Sequence, residues 1–136
     1  MKVGKAAELA RKHLPSYDNK VRPLRDALEN GILDSILNAE LNGHKANRLA
    51  NTSNISFRGI ESEALLILLD KEGICASTGS ACLADSDEPS HVIRAMKRES
   101  GASRQMIRFS LGPENRPEGL TKTVEAVGKA VAALCS

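Results

Sequence analysis

The chain has 136 residues, of which 41% are hydrophobic, and a formal net charge of +2. This length predicts one compact domain, and a weak charge with only three aromatic residues offers no surface for stacking bases, so we expect no nucleic-acid binding. No run approaches the roughly 18 apolar residues of a membrane span, and the N-terminal stretch lacks the apolar centre of a signal peptide. We therefore expect a cytoplasmic protein that binds no membrane.

The first third of the chain predicts helices and the next part strands. Residues 2–13 are rich in good helix formers, and Pro15 is expected to interrupt them. A second helix follows, which Gly31 weakens without ending. A short edge strand is expected before Gly43, and alternation predicts another strand over residues 51–57. The apolar face of the second helix consists of Val21, Leu24, Leu28, Ile32 and Ile36.

The middle of the chain predicts a helix, a strand and a loop. Residues 61–73 favour a helix in which residues 65–69 are buried, and Gly73 is expected as its left-handed cap. The short apolar segment 74–77 predicts a buried strand. Residues 78–88 predict a loop, because small, polar and acidic side chains follow one another there.

The last third predicts helix, strand and helix. Pro89 is expected in the first turn of a helix. Residues 106–112 alternate as a strand, with Ile107, Phe109 and Leu111 on the core side. Pro117 opens a final helix with a clear apolar stripe. The whole pattern predicts an α+β fold, with a small, mainly antiparallel sheet covered by helices. The stripe consists of Leu120, Val124, Val127, Val131 and Leu134.

Cys82 lies in the predicted loop, within GICASTGSACLADSDEPSHVIRAM, residues 73–96. Small residues before Cys82 permit close approach, and acidic residues after it keep the loop in solvent. A thiol is a nucleophile only when it is deprotonated and reachable. The nearby carboxylates favour the protonated thiol. The residues alone therefore predict an exposed cysteine without an activating base.

The other two cysteines receive simpler interpretations. Cys75 lies in the apolar segment and is predicted to be a small buried residue, and Cys135 to be incidental. An odd number of cysteines without a CxxC pair argues against a disulfide framework. The irregular spacing of Cys75, Cys82 and His91 argues against a permanent metal site.

Arg108 and Lys45 are cationic side chains that invite a functional interpretation. Arg108 is predicted to point away from the core, and its guanidinium matches a carboxylate through two parallel hydrogen bonds. From the pattern alone, an ordinary surface or ion-paired arginine is the better interpretation. Lys45, after His44, could form a Schiff base with a carbonyl cofactor, but a solvated turn is favoured because the segment is polar.

Five segments carry a family resemblance: RLANTSNISF, GIESEALLILLD, GICASTGSAC, EPSHVIRAM and IRFSLG, in this order. Together they resemble the C-terminal part of a group I cysteine desulfurase, most closely the NifS type, over nearly the whole chain. The resemblance implies the small C-terminal domain of a fold type I transferase that depends on pyridoxal 5′-phosphate.

The function implied by the resemblance is the removal of sulfur from L-cysteine, leaving L-alanine. Cys82 would be the nucleophile that holds the sulfur as a persulfide, with a transient contact to cluster iron. Arg108 would bind the substrate carboxylate, which reverses the interpretation from the pattern. The implied partners are a second copy of the full-length enzyme and an iron–sulfur scaffold of the NifU or IscU type, with nitrogenase maturation as the sulfur's destination.

The chain departs from the family pattern where the cofactor should bind. Lys45 lacks the Gly-Pro-Lys-Gly sequel of the cofactor lysine, and the Asp and His that hold the pyridine ring are missing. We therefore expect residues 1–136 to be one domain without the large cofactor domain, with residues 1–15 a remnant of an inter-domain helix. Alone, this domain should bind no cofactor and be inactive.

Two other interpretations of the chain stay open. It could be a stand-alone sulfur carrier or docking module that has no catalysis of its own. It could also be a plain α+β domain whose surface thiol is unreactive. The sequence LADSD after Cys82 differs from the Thr- and Ser-rich sequence common in the family, which leaves the preference for a sulfur acceptor open.

Overall fold

The computed structural model describes residues 2–79, 91–96 and 104–135, and Cys82, Pro89 and most of the loop predicted at 78–88 lie outside these ranges. The described residues form helices and strands in the order α, β, β, α, α, β, α. Their bounds are α1 Lys2–Ser35, β1 Ala39–Leu41, β2 Thr52–Phe57, α2 Ser62–Lys71, α3 His91–Met96, β3 Met106–Ser110 and α4 Pro117–Cys135.

The three strands form an antiparallel sheet in the order β1-β2-β3. Ile55 at the centre of β2 pairs with Leu41 on one side and Ile107 on the other. Alternation sends these side chains to the face on which helices pack, and Ile55, Ile107 and Phe109 are buried there. The predicted mainly antiparallel sheet and its core-facing residues in β3 are confirmed.

Helix α1 runs without a break through Pro15 and Pro23, so the predicted interruption at Pro15 is wrong. A proline inside a helix removes one backbone hydrogen bond and crowds one carbonyl. Residues 2–16 are all exposed, so water can bond to the carbonyl that loses its partner. From Val21 onward the helix buries the predicted apolar face against the sheet and α4.

Helix α4 lies beside α1 and closes the core. Its predicted stripe is buried at Leu120, Val127 and Val131, whereas Leu134 near the end is partly exposed. The two helices are in close contact at Gly31, where a Cβ atom would lie 2.8 Å from Val124 Cγ2. Gly31 therefore acts as a contact point between helices, which explains why it does not end α1.

Helix α2 ends at a left-handed glycine, as predicted. Gly73 has φ +74°, its N–H donates to the Asp70 carbonyl at 2.9 Å, and the Ile74 N–H donates to the Leu69 carbonyl at 3.0 Å. This pair of bonds is the Schellman motif. The prediction that all of residues 65–69 are buried is wrong at Ile67, which is 59% exposed, because a helix turns only part of such a run toward the core.

The segment after Gly73 is not the buried strand predicted for residues 74–77. Only Ser77 pairs, through an isolated bridge to Arg108. Ile74 and Ala76 pack against the core, and Cys75 between them is exposed. The prediction of a buried Cys75 is wrong because an extended chain turns alternate side chains to opposite sides.

A buried ion cluster ties α1 to the connection between β1 and β2. The guanidinium of Arg25 donates to the Leu49 carbonyl at 2.7 Å. Glu29 accepts hydrogen bonds from Arg48 and, at 2.7 Å, from the Ser53 hydroxyl. Because Arg25 and Glu29 are both buried, these bonds replace the water that the charges lose on folding.

No helix in the described part of the chain is long and apolar enough to cross a membrane.

Candidate functional site

Arg108 lies at the centre of β3 and is exposed, as the alternation predicts. Its neighbours Ile107 and Phe109 are buried on the helix-covered face, so its guanidinium lies on the opposite face of the sheet. Among the described residues, no carboxylate forms an ion pair with it. No described acid therefore occupies its donors, which suit an anion.

Ser77 joins Arg108 at the free edge of β3. The Ser77 N–H donates to the Arg108 carbonyl at 3.1 Å, and the Arg108 N–H donates to the Ser77 carbonyl at 2.7 Å. Arg108 Nη2 also lies 3.5 Å from Ser77 Oγ, which accepts a long hydrogen bond. Both the backbone and the side chain of Arg108 are therefore held by the segment that leads to Cys82.

A tight turn follows Ser77. The Ser77 hydroxyl donates to the Gly79 carbonyl at 3.0 Å and accepts from the Gly79 N–H at 3.3 Å. Gly79 has φ +153°, in a region that favours glycine. A Cβ atom there would lie 3.6 Å from Met106 Cε. This turn therefore packs on the same strand that carries Arg108.

Asn54 is the residue opposite Arg108 on β2. Its amide is engaged elsewhere, because Oδ1 accepts from Asn42 Nδ2 at 2.7 Å and Nδ2 lies 2.9 Å from Met106 Sδ. Asn42 also donates to Ser56 Oγ at 2.8 Å. These contacts form a polar network on the face of the sheet opposite the helices, next to Arg108.

The structure brings together only part of the predicted site. Arg108 and the start of the cysteine-bearing loop meet, but Cys82 lies outside the described residues, as does the side chain of His91. Cys75 and Cys135 are both exposed. Ser77 and Asn54 were missed as residues around Arg108. The polar alternation of NTSNISF was a signal for Asn54, whereas the Ser77 bridge had no local signal.

The segment around Lys45 forms a turn. His44 Nδ1 accepts hydrogen bonds from the N–H groups of Ala46 and Asn47, at 3.0 and 2.9 Å. Lys45 itself is exposed, like every lysine in the described ranges. Exposed lysines lack the apolar surroundings that prepare a lysine for a Schiff base, so none of these described lysines is set up to form one.

The residues that the structure describes contain no cluster of metal ligands. No three His, Cys, Asp or Glu side chains come close enough together there to hold an ion. The described part of the chain therefore offers Arg108 and its neighbours as the candidate site, and a guanidinium suits an anion rather than a cation.

Sequence comparison finds a match to the class-V aminotransferase family over residues 2–122. A cysteine desulfurase of Gluconacetobacter diazotrophicus is 46% identical over 132 residues, which cover 97% of this chain and 33% of that protein. The cysteine desulfurase NifS of Azotobacter vinelandii is 45% identical, with the same shares covered. The chain thus spans about a third of the length of these curated relatives.

Structural comparison agrees with the sequence match. A NifS-like protein from Rickettsia africae superposes with a TM-score of 0.80 at 26% identity, and the match covers 93% of this chain and 32% of that one. The predicted resemblance and the α+β fold with helices on an antiparallel sheet are therefore confirmed.

Proposed function

We propose, because this chain belongs to the class-V aminotransferase family, that it is the small C-terminal part of a cysteine desulfurase. In that role it would supply Cys82 as the sulfur-carrying nucleophile and Arg108 as the group that binds the substrate carboxylate. The whole enzyme would convert L-cysteine to L-alanine. The names of the relatives support this activity, and the proposal extends it to individual residues of this chain.

The observation that carries the proposal is the pairing of Ser77 with Arg108. It joins an outward-facing guanidinium to the segment that contains Cys82, only five positions after Ser77. A desulfurase needs both groups at one substrate, because the carboxylate must be held while the sulfur is attacked. An exposed arginine that no described acid neutralises suits the first task.

The sulfur step requires Cys82 as a thiolate. Its sulfur attacks the sulfur of the substrate L-cysteine, and a sulfur–sulfur bond forms while the carbon–sulfur bond of the substrate breaks. The electron pair of that bond goes to carbon, which takes up a proton to give L-alanine. The sulfur stays on Cys82 as a persulfide. Substrate and products balance without an external oxidant or reductant.

Pyridoxal 5′-phosphate is the cofactor that the family implies, and the described residues do not fit it. Every described lysine is exposed, and the turn at Lys45 uses its histidine to accept two backbone N–H groups. We therefore assign cofactor binding to the part of the full-length enzyme that this chain does not contain. The chain alone should bind no cofactor and be inactive.

The first half of α1 fits a connection to that larger part. Residues 2–16 are exposed, yet the spacing of apolar residues that forms the buried face of the second half continues into them. Val3 and Leu14, at 84% and 69% exposure, are large apolar members of this continuation. We propose that residues 1–15 belong to an inter-domain helix whose apolar stripe packs against the cofactor domain.

Downstream of the chemistry, we propose that the persulfide sulfur is used for iron–sulfur cluster assembly. The acceptor would be a scaffold of the NifU or IscU type, and the persulfide on Cys82 would transiently contact cluster iron there. Nitrogenase maturation is the destination that we propose for this sulfur. The full-length enzyme would be a cytoplasmic homodimer.

The second candidate function is a stand-alone sulfur carrier that accepts sulfur at Cys82 and has no catalysis of its own. It is favoured by one observation, that the described residues offer no cofactor site. The gene sequence upstream of Val3 separates the two. An in-frame, lysine-bearing cofactor domain supports the enzyme, and its absence supports the carrier.

The proposed function is tested by Cys82→Ser in the full-length protein. We expect formation of L-alanine from L-cysteine to fall by at least about 100-fold, since the replaced nucleophile is a group that the reaction requires. The visible absorbance of the bound cofactor should be unchanged. Cys135→Ser is the matched control and should keep full activity. Wild-type turnover by Cys82→Ser, or loss of its cofactor absorbance, would contradict the assigned role.

A further inference from the structure

We propose that Ser77 is a positioning residue that orients the Arg108 guanidinium toward the substrate carboxylate. This inference rests on the proposed function and deepens it. Nothing in the relatives' names or in the family match assigns a role to Ser77.

The backbone geometry places the two side chains next to each other. Ser77 and Arg108 exchange both of their backbone hydrogen bonds, at 3.1 and 2.7 Å. In an antiparallel pair, residues bonded in this way stand directly opposite and project to the same side. Ser77 therefore projects to the same side of the sheet as Arg108, from the segment that bridges to the edge of β3.

The hydroxyl of Ser77 has a fixed direction. Its one proton goes to the Gly79 carbonyl at 3.0 Å. Its lone pairs are then left to accept, from the Gly79 N–H at 3.3 Å and from Arg108 Nη2 at 3.5 Å. A guanidinium has only donors, so the hydroxyl accepts from it and can still give its own proton to the turn. Threonine can reproduce this arrangement, and alanine cannot.

The donors of Arg108 that no described residue occupies make this contact useful. Ser77 takes at most one of the five N–H groups of a guanidinium, so enough remain for a carboxylate held by two parallel bonds. Asn54, across the sheet, is bonded to Asn42 and Met106 instead. Among the described residues, Ser77 is thus the side chain that restricts where the long Arg108 stem points.

The turn at Gly79 extends the effect of Ser77 along the chain. The same hydroxyl that accepts from Arg108 closes a turn that ends three positions before Cys82. The Ser77 hydroxyl therefore contacts both Arg108 and the turn at Gly79, whereas Cys82 lies three positions beyond that turn. A misplaced guanidinium should weaken substrate binding first, because the nucleophile itself is unchanged.

The test is the kinetics of Ser77→Ala in the full-length enzyme with L-cysteine as substrate. We expect KM to rise about three- to tenfold, as for loss of one hydrogen bond to a charged group at a partly exposed site, and kcat to change by less than about twofold. Ser77→Thr should restore the wild-type KM, because an extended segment tolerates a β-branched residue.

A double-mutant cycle with Arg108→Ala separates positioning from a general structural effect. If Ser77 acts through Arg108, Ser77→Ala should add no further increase in KM once Arg108 is alanine. A full additional increase in that background would overturn the inference, as would a wild-type KM for Ser77→Ala alone.

The same cycle keeps the two proposals distinguishable. If Arg108→Ala raises KM and Ser77→Ala does not, only the role of Ser77 fails. If Arg108→Ala itself leaves KM unchanged, the role of Arg108 in the proposed function fails, and the role of Ser77 with it.

Discussion

Cys75 shows how the direction of one side chain decides which thiols meet solvent. It lies between Ile74 and Ala76, which pack on the core, and it is itself exposed. A variant with Cys82 and Cys135 changed to serine leaves Cys75 as the only thiol of the chain. We expect its rate of reaction with a thiol reagent in the folded protein to lie within about tenfold of the rate in denaturant, because exposure controls access.

Cys75→Ser supplies an independent measure of the same exposure. Surface substitutions usually change the free energy of unfolding by less than about 0.5 kcal/mol, so we expect that range from denaturant unfolding. Val127→Ala, at a fully buried position, is the control and should cost about 1–3 kcal/mol. A Cys75→Ser variant as destabilised as that control would show that the thiol is buried.

The sequence predicted the side of the sheet to which Arg108 projects, but it did not predict which residues surround Arg108. Alternation from Ile107 to Leu111 placed it on the side opposite to Ile107 and Phe109, and these two are buried. The contact with Ser77 joins residues 31 positions apart. Such a bridge depends on how two segments meet at a sheet edge, and no local periodicity encodes that meeting.

At the scale of helices, the packing of α1 against α4 gives Gly31 its role. Gly31→Ala should lower the free energy of unfolding by about 1–2 kcal/mol, since its Cβ would meet Val124 Cγ2 at 2.8 Å and overpacking is destabilising. Gly128→Ala in α4 has nothing within 4 Å and should stabilise by about 0.5–1 kcal/mol. Equal stabilisation by both variants in thermal unfolding would refute the close contact.

The buried ion cluster fixes the connection between β1 and β2 on α1. Glu29→Gln should cost about 2–3 kcal/mol, because it leaves the Arg48 charge without its partner in a nearly dry setting, where the two side chains are 12% and 11% exposed. Glu8→Gln, in an exposed pair with Lys5, should cost less than about 0.5 kcal/mol. Comparable losses in urea unfolding would contradict the difference in burial.

Sequence patterns predicted the helices and strands with strong periodicity, and failed where context overrides them. The apolar spacing of α1 and α4 and the cap at Gly73 were legible because each follows from local geometry. The continuation of α1 through Pro15 could not be predicted in this way. Helix propensity includes the lost hydrogen bond of a proline but not the water that can replace it at an exposed position. The ion cluster also had no signature, because its members come from separate segments.

On the scale of the whole molecule, helices α1 and α2 pack on one face of the described sheet, and the other face carries Asn54, Arg108 and the buried Met106. The half of α1 before Tyr17 has no such packing, because residues 2–16 are exposed. Deleting residues 2–14 from this chain should change its free energy of unfolding by less than about 1 kcal/mol, because no buried side chain is removed. A loss of several kcal/mol in denaturant unfolding would show that these residues stabilise the domain itself.

In the full-length enzyme, by contrast, the apolar residues of the first half of α1 should contribute to stability. There Leu14→Lys should destabilise the protein by about 1–3 kcal/mol, because we propose that Leu14 becomes buried against the cofactor domain. Lys12→Glu, on a neighbouring exposed position of the helix, is the control. Equal stability of both variants in thermal unfolding would remove the inter-domain role of residues 1–15.

The central claim is that sulfur from L-cysteine is held on Cys82, and mass spectrometry of the full-length enzyme tests it most directly. After a short reaction and alkylation, trypsin should release residues 72–94, which contain both Cys75 and Cys82, and fragmentation assigns the modified thiol. We predict one additional sulfur on Cys82, retained in Cys75→Ser and lost in Cys82→Ser. Additional sulfur on Cys75 alone, or persulfide that persists in Cys82→Ser, would contradict the account.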